Sequence, residues 1–180
     1  MQYVAFGFRA LLGVVFLVAV ISKLSGRRAF AEFKQSVDSM RLVPSFLGTQ
    51  AAVATVICEA LITVLLAVPH RTAGLAGFSL AAVLLAVFAV GITFSVRRGN
   101  TAPCRCFGRS STPLGRLHVW RNIFLVFAAL LGSIATTLPA GPAEPAPTLT
   151  AVFAGLMAGA VVVALDDIAY LFGPPKIARP

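Results

Sequence analysis

The chain has 180 residues, 58% of them hydrophobic and only 12% charged, with a mean hydropathy of +0.91. A soluble domain of this size needs roughly a quarter of its residues charged, so the composition excludes a fold wetted on most of its surface and indicates an outer face that meets lipid. The net charge of +9 comes from 15 Lys and Arg against 6 Asp and Glu; these basic residues sit in short connections between apolar runs, which excludes nucleic-acid binding and points to anionic lipid headgroups.

Five apolar runs of about 20 residues nearly exhaust the length. The expected fold is therefore all-α, an integral membrane bundle with a four-helix core plus a C-terminal span, in a single domain over residues 1–180. The start, Met1-Gln2-Tyr3-Val4, lacks the basic region of a cleavable signal and no small-residue cleavage site follows the first run, so that run is expected to stay as a helix. It covers residues 4–24, interrupted by Arg9, which is near enough to the helix end to snorkel toward water. A basic connection follows over residues 23–44, with Arg27, Arg28, Lys34 and Arg41 against Glu32 and Asp38. Phe30, Phe33 and Val37 recur there at helical spacing and predict an interfacial amphipathic helix.

The second run covers residues 45–68 and stops at Pro69-His70-Arg71; the third, residues 73–96, holds no charged residue. Arg97-Arg98-Gly99-Asn100 then opens a polar loop that reaches the fourth run at residues 117–138. A breaker-rich stretch with Pro139, Pro142, Pro145 and Pro147 precedes the fifth run, residues 148–172, which ends at Gly173-Pro174-Pro175. Gly155 and Gly159 form a GxxxG pair, and Ala73, Gly77 and Ala81 repeat at the same spacing, which marks both stripes as candidate helix contacts. Most Lys and Arg lie in the first loop, the third loop and the C-terminus, so the positive-inside rule places the N-terminus outside and the third loop in the cytoplasm.

The third loop carries Pro103-Cys104-Arg105-Cys106-Phe107-Gly108. A structural disulfide gains most by closing a long loop, and a Cys-x-Cys bridge closes almost none; its small ring is strained and easily reduced. The pair therefore suits redox or metal chemistry better than a staple. Arg97, Arg98, Arg105, Arg109 and Arg116 surround it without a neighbouring acid, a field that favours thiolate over thiol. Thiol–disulfide exchange is the leading reading. Cu(I) binding through soft thiolates and two incidental loop thiols stand behind it, and zinc would lack ligands with only His118 close by.

Glu59 lies deep in the second run beside Cys58, and a carboxylate in hydrocarbon is a functional candidate by default. Thr55, Glu59 and Thr63 share one helix face, expected to turn into the bundle. Proton relay, a ligand for a polar substrate group, an ion-pair partner and a protonated packing group are all open to it. Cys58 reads as a small apolar core residue rather than a resolving thiol. Lys23, Arg121, Asn122, Asp166 and Asp167 fall at one end of the first, fourth and fifth runs and suggest a polar cluster below the Cys loop. At about fourteen residues into its run, Glu59 is expected to lie too deep to join them.

These residues together resemble the MauE (methylamine-utilisation) family of the broader MauE/DoxX group of redox-associated membrane proteins. The likeness rests on the small helical bundle, Lys23 ending the first run, Glu59 within the second, Cys104-Arg105-Cys106-Phe107-Gly108 before the fourth, and Arg121-Asn122 at its start. It covers roughly residues 1–135. The family commonly has Gly between the two cysteines, and Arg105 departs from that pattern. The resemblance implies work in maturing the methylamine dehydrogenase light subunit, a disulfide-rich periplasmic protein, beside a thioredoxin-like redox partner. It would make Cys104 and Cys106 the exchange pair, with Arg105, Glu59, Lys23, Arg121 and Asn122 in support. No metal and no cofactor is required by the sequence. A cytoplasmic pair serving an exported client would need a second redox centre, for which Cys58 or a bound quinone is available. A non-enzymatic assembly factor, or a small-molecule or metal transporter using Glu59, are the alternatives.

Overall fold

The computed structural model describes residues 1–39, 44–99, 116–139, 141 and 144–172, with side chains described for all of these except 45, 116 and 166–172. Among the described residues the regular structure is entirely helical: α1 (Gln2–Leu24), α2 (Arg27–Ser39), a 3-10 turn (Ser45–Leu47), α3 (Gly48–Ala67), α4 (Arg71–Arg97), α5 (Arg116–Thr137) and α6 (Pro145–Phe172). Five of the helices are long and apolar enough to cross a membrane, and α2 is not one of them. Their bounds follow from the breakers. Pro69 ends α3, since its ring cannot continue the helix, and Pro145 opens α6 at the first helical position, where its missing N–H costs nothing.

Close approaches set the directions of the helices. Near the start of α4, Phe78 lies against Gly132 and Arg71 donates to the Thr137 carbonyl, both near the end of α5, so the two run antiparallel. α6 runs parallel to α1, with Gly155 against Gly7 and Gly159 against Leu11. Consequently the C-termini of α1, α4 and α6 and the N-termini of α3 and α5 share one end of the bundle. The connection between α4 and α5, which carries Cys104 and Cys106, begins and ends there.

The central core joins Leu12, Phe16 and Ala19 of α1 to Ile62 and Leu66 of α3, Phe78, Leu85 and Ile92 of α4, Leu125 and Ala129 of α5, and Val162 of α6. The outward faces are just as apolar, with Val64, Val90, Phe127 and Phe153 exposed. In water such a surface would aggregate; in a bilayer it is the solvated one. Because lipid supplies no hydrophobic drive between helices, close backbone contact does the holding. Gly155 and Gly159 bear this out, for a Cβ at Gly155 would run into the Gly7 carbonyl oxygen, and one at Gly159 would come within 2.8 Å of the Leu11 carbonyl oxygen. In the second small-residue stripe, Gly77 and Ala81 are buried, with Gly77 against Leu66 of α3.

The amphipathic connection forms the expected helix, but its apolar face is covered by protein. Phe33 of α2, flanked by Phe30 and Val37, packs on Ala52 and Val56 of α3. Asp38 of α2 lies against Gly48, where a side chain would collide with its carboxylate; an acid at the start of α3 also suits that helix dipole. Arg9 is half-buried and directed to the end of the bundle. Its guanidinium donates to the carbonyl oxygens of Val68 and His70, each at 2.8 Å, and so ties α1 to the turn between α3 and α4. Arg71 caps the last turn of α5 through the Thr137 carbonyl. At that end of the bundle both basic residues bind backbone carbonyls, Arg9 in the α3–α4 turn and Arg71 at the end of α5.

Candidate functional site

The polar residues are sorted by height. Among the described residues, the buried polar or charged side chains are Lys23, Ser36, Glu59, Ser95, His118, Arg121 and Asn122. All belong to the part of the bundle nearest the α4–α5 connection: the last turns of α1 and α4, the first turns of α5, the outer helix α2, and Glu59 reaching up from α3. The opposite end contributes none of them.

Lys23 and Glu59 form the centre. Lys23 is 2% exposed and Glu59 0%, and the Lys23 Nζ donates to both carboxylate oxygens of Glu59, at 2.7 and 2.9 Å. The ammonium also lies 3.5 Å from the Ala19 carbonyl and 4.7 Å from the centroid of the Phe33 ring. Burying a lone charge is very costly, and pairing with further polar contacts offsets that cost. The aromatic face adds a cation–π contact at this buried site. α2 thus brings Phe33 over the pair from outside.

The expectation that Glu59 sits too deep for Lys23 is corrected by this pairing, for two geometric reasons. α3 begins at Gly48, after a 3-10 turn, rather than at residue 45, so Glu59 is nearer the helix end. Lysine on a helix also directs its side chain toward the helix N-terminus, which for α1 means down into the bundle. Thr55 and Thr63, on the same α3 face, are half-buried and donate to their own helix, to the Ala51 and Glu59 carbonyls.

His118, Arg121 and Asn122 occupy the first two turns of α5 at i, i+3 and i+4, one face of the helix. The Asn122 side-chain amide donates to the His118 carbonyl at 2.8 Å, and its Oδ1 has no hydrogen-bond partner among the described residues. A buried acceptor in that condition is ready for a donor from water or ligand. Ser95 in the last turn of α4 is buried with them. Sequence reasoning had marked Lys23, Glu59, Arg121 and Asn122; it gave His118 only a secondary place and missed Ser36 and Ser95. For His118 the spacing of four to Asn122 was the available signal. A single serine in an apolar helix offers none.

Cys104, Arg105 and Cys106 lie outside the described residues, as do Arg109 and the side chains of Arg116, Asp166 and Asp167. Cys58, one residue before Glu59, is a half-buried free thiol on α3. No group of three or more His, Cys, Asp and Glu that could hold a metal ion occurs among the described residues. The described side chains of this end are charged and hydrogen-bonding groups, and the sulfurs of Cys104 and Cys106 belong to the connection rooted there.

Residues 1–135 match the model of the family described as Methylamine utilisation protein MauE. The chain is also 37% identical over 183 aligned residues to the Methylamine utilization protein MauE of Paracoccus denitrificans, covering 98% of this chain and 90% of that one. No solved structure matches.

Proposed function

This chain belongs to the MauE family, and from that premise we propose a multi-pass membrane protein of methylamine utilisation that matures a partner protein by thiol–disulfide exchange at Cys104 and Cys106. The observation that carries the reading is the one-ended burial of polar side chains, at the end where the Cys-bearing connection is rooted. A bundle that needed only to pack would gain by burying apolar residues there.

In the proposed reaction, a thiolate of the pair attacks one sulfur of a disulfide on a thioredoxin-like partner. A mixed disulfide forms; the second thiolate of the pair then displaces the partner's remaining sulfur, and the partner leaves as a dithiol. Two electrons pass to the partner, whose released sulfurs take up two protons, and Cys104 and Cys106 end as a disulfide. The same steps run backward when the potentials are reversed. Arg105 and its neighbouring arginines favour the attacking thiolate. Lys23 and Glu59, with Arg121 and Asn122, would hold the roots of the connection and handle protons beneath it. Lys23 occupies both oxygens of Glu59, which weighs against a transporter that needs that carboxylate for cargo.

For sidedness, we take the Cys-bearing end as cytoplasmic. All of the 15 Lys and Arg except Arg9 and Arg71 belong to that end by sequence, and those two are bound to backbone carbonyls. Delivery to an exported client then requires a relay, and a quinone or Cys58 would serve.

The test replaces Cys104 and Cys106 together by Ser in the full chain and follows both partner association and disulfide formation in the client. Exchange chemistry predicts that association persists while client disulfides fail to form. Normal client maturation without the cysteines would leave the protein as a non-enzymatic assembly factor.

A further inference from the structure

α4 and α5 do not close fully against one another. A cavity of about 520 Å³ lies between them, lined by Ala86, Val90 and Phe94 of α4 and by Ile123 and Phe127 of α5, with Arg97 at one end. Val90, Phe94 and Phe127 are exposed, so the groove faces the lipid side of the bundle rather than its core. Its length is informative. From Ala86 to Arg97 is about eleven residues of helix, roughly 16 Å at the usual rise, which is about half the thickness of a bilayer's hydrocarbon core. A groove running from Arg97 to Ala86 thus spans one leaflet, from surface to midplane.

Two observations fix which end lies at the surface. Arg97 is the last residue of α4 and is exposed. Trp120, on the facing end of α5, is exposed as well, as amphipathic rings are at headgroup level. The charge is one-sided. Arg97 forms no ion pair with any described residue, and the whole stretch from residue 71 to residue 137 contains no Asp or Glu. A guanidinium at headgroup height without an acid is complementary to a phosphate, which it can hold through two parallel hydrogen bonds.

We propose that this groove binds one anionic phospholipid, with an acyl chain along the α4–α5 seam and the phosphate on Arg97. A neutral quinone would fill the groove equally well but would leave the guanidinium without a counter-charge. The bound phosphate anchors the root of the Cys-bearing connection at the membrane surface, and the site stands whether or not the exchange chemistry does.

The test uses the full chain in nanodiscs made from equal parts phosphatidylglycerol and phosphatidylcholine, then released into mild detergent for native mass spectrometry and lipid extraction. The wild-type chain is expected to retain one phosphatidylglycerol in preference to phosphatidylcholine. Arg97→Gln should lower that retention by about tenfold, the loss of one charge-assisted contact, and Ala86→Phe, which fills the midplane end from an exposed position, should lower it as well. Arg98→Gln serves as the control and should retain the lipid. Retention without preference for the anionic lipid overturns the proposal, and this readout needs no variant. So does undiminished retention in Arg97→Gln, or recovery from native membranes of a quinone instead of a phospholipid.

Discussion

Lys23 and Glu59 show how much a single pair can decide in a bundle of this size. Removing either partner strands a charge where neither water nor lipid can solvate it, a loss of about 3–5 kcal/mol for a buried pair. Lys23→Met or Glu59→Leu alone should therefore unfold at markedly lower temperature in detergent. The joint replacement removes both charges at once and should recover most of that stability. Client maturation separates packing from proton handling. If the pair handles protons, the joint variant is stable but matures its client poorly; full maturation in it would reduce the pair to a packing device. At this scale the sequence was half legible. A lone carboxylate in an apolar run marks itself, and so does a lysine at a helix end. Their meeting was hidden because it depends on where α3 begins and on which way a helical lysine leans, and neither is written in residue spacing. Ser36 and Ser95 were hidden more completely, since one short hydroxyl in an apolar run has no periodic signature.

Among the elements, hydropathy alone placed all five spans within a few residues of their observed bounds, because a bilayer demands unbroken apolar length. The partner of α6 was legible too. Gly155 and Gly159 announce a close contact, and α1 supplies it through Gly7 and Leu11. Gly159→Leu would force a side chain into the α1 backbone, so α6 should lift away at a cost of about 1–3 kcal/mol. Because α6 lies beyond residues 1–135, the α1–α5 bundle should keep its fold. Thermal unfolding of that variant should show a lower melting temperature with the Lys23–Glu59 region still protected from hydrogen exchange. Loss of protection throughout would make α6 integral to the core. α2 was legible as an amphipathic helix, but composition could not say whether lipid or protein covers its apolar face. Ala52 and Val56 cover it, and the consequence is functional, since the same helix sets Phe33 on Lys23.

For the whole molecule, the two ends of the bundle are chemically distinct. One is closed by arginines bound to backbone carbonyls, with no buried polar side chain among its described residues; the other gathers buried charge and amide groups where the connection that holds Cys104 and Cys106 is rooted. Under the proposed function the second end is the working side, and the positive-inside rule would place it in the cytoplasm. The fold class and the family were both legible in the sequence, because each rests on features that survive without tertiary knowledge: apolar length and an ordered set of short motifs. The depth and burial of the site were not.

The most direct measurement is labelling of Cys104 and Cys106 with a membrane-impermeant maleimide in whole cells, in a Cys58→Ala background so that no other thiol reports. Cells are compared with and without prior reduction, before and after permeabilisation. Thiol–disulfide exchange on the cytoplasmic face predicts labelling only after reduction and only in permeabilised cells, the signature of a resting disulfide there. Labelling of intact cells after reduction would reverse the orientation while keeping the redox pair. Full labelling without any reductant would contradict thiol–disulfide exchange as the work of this loop.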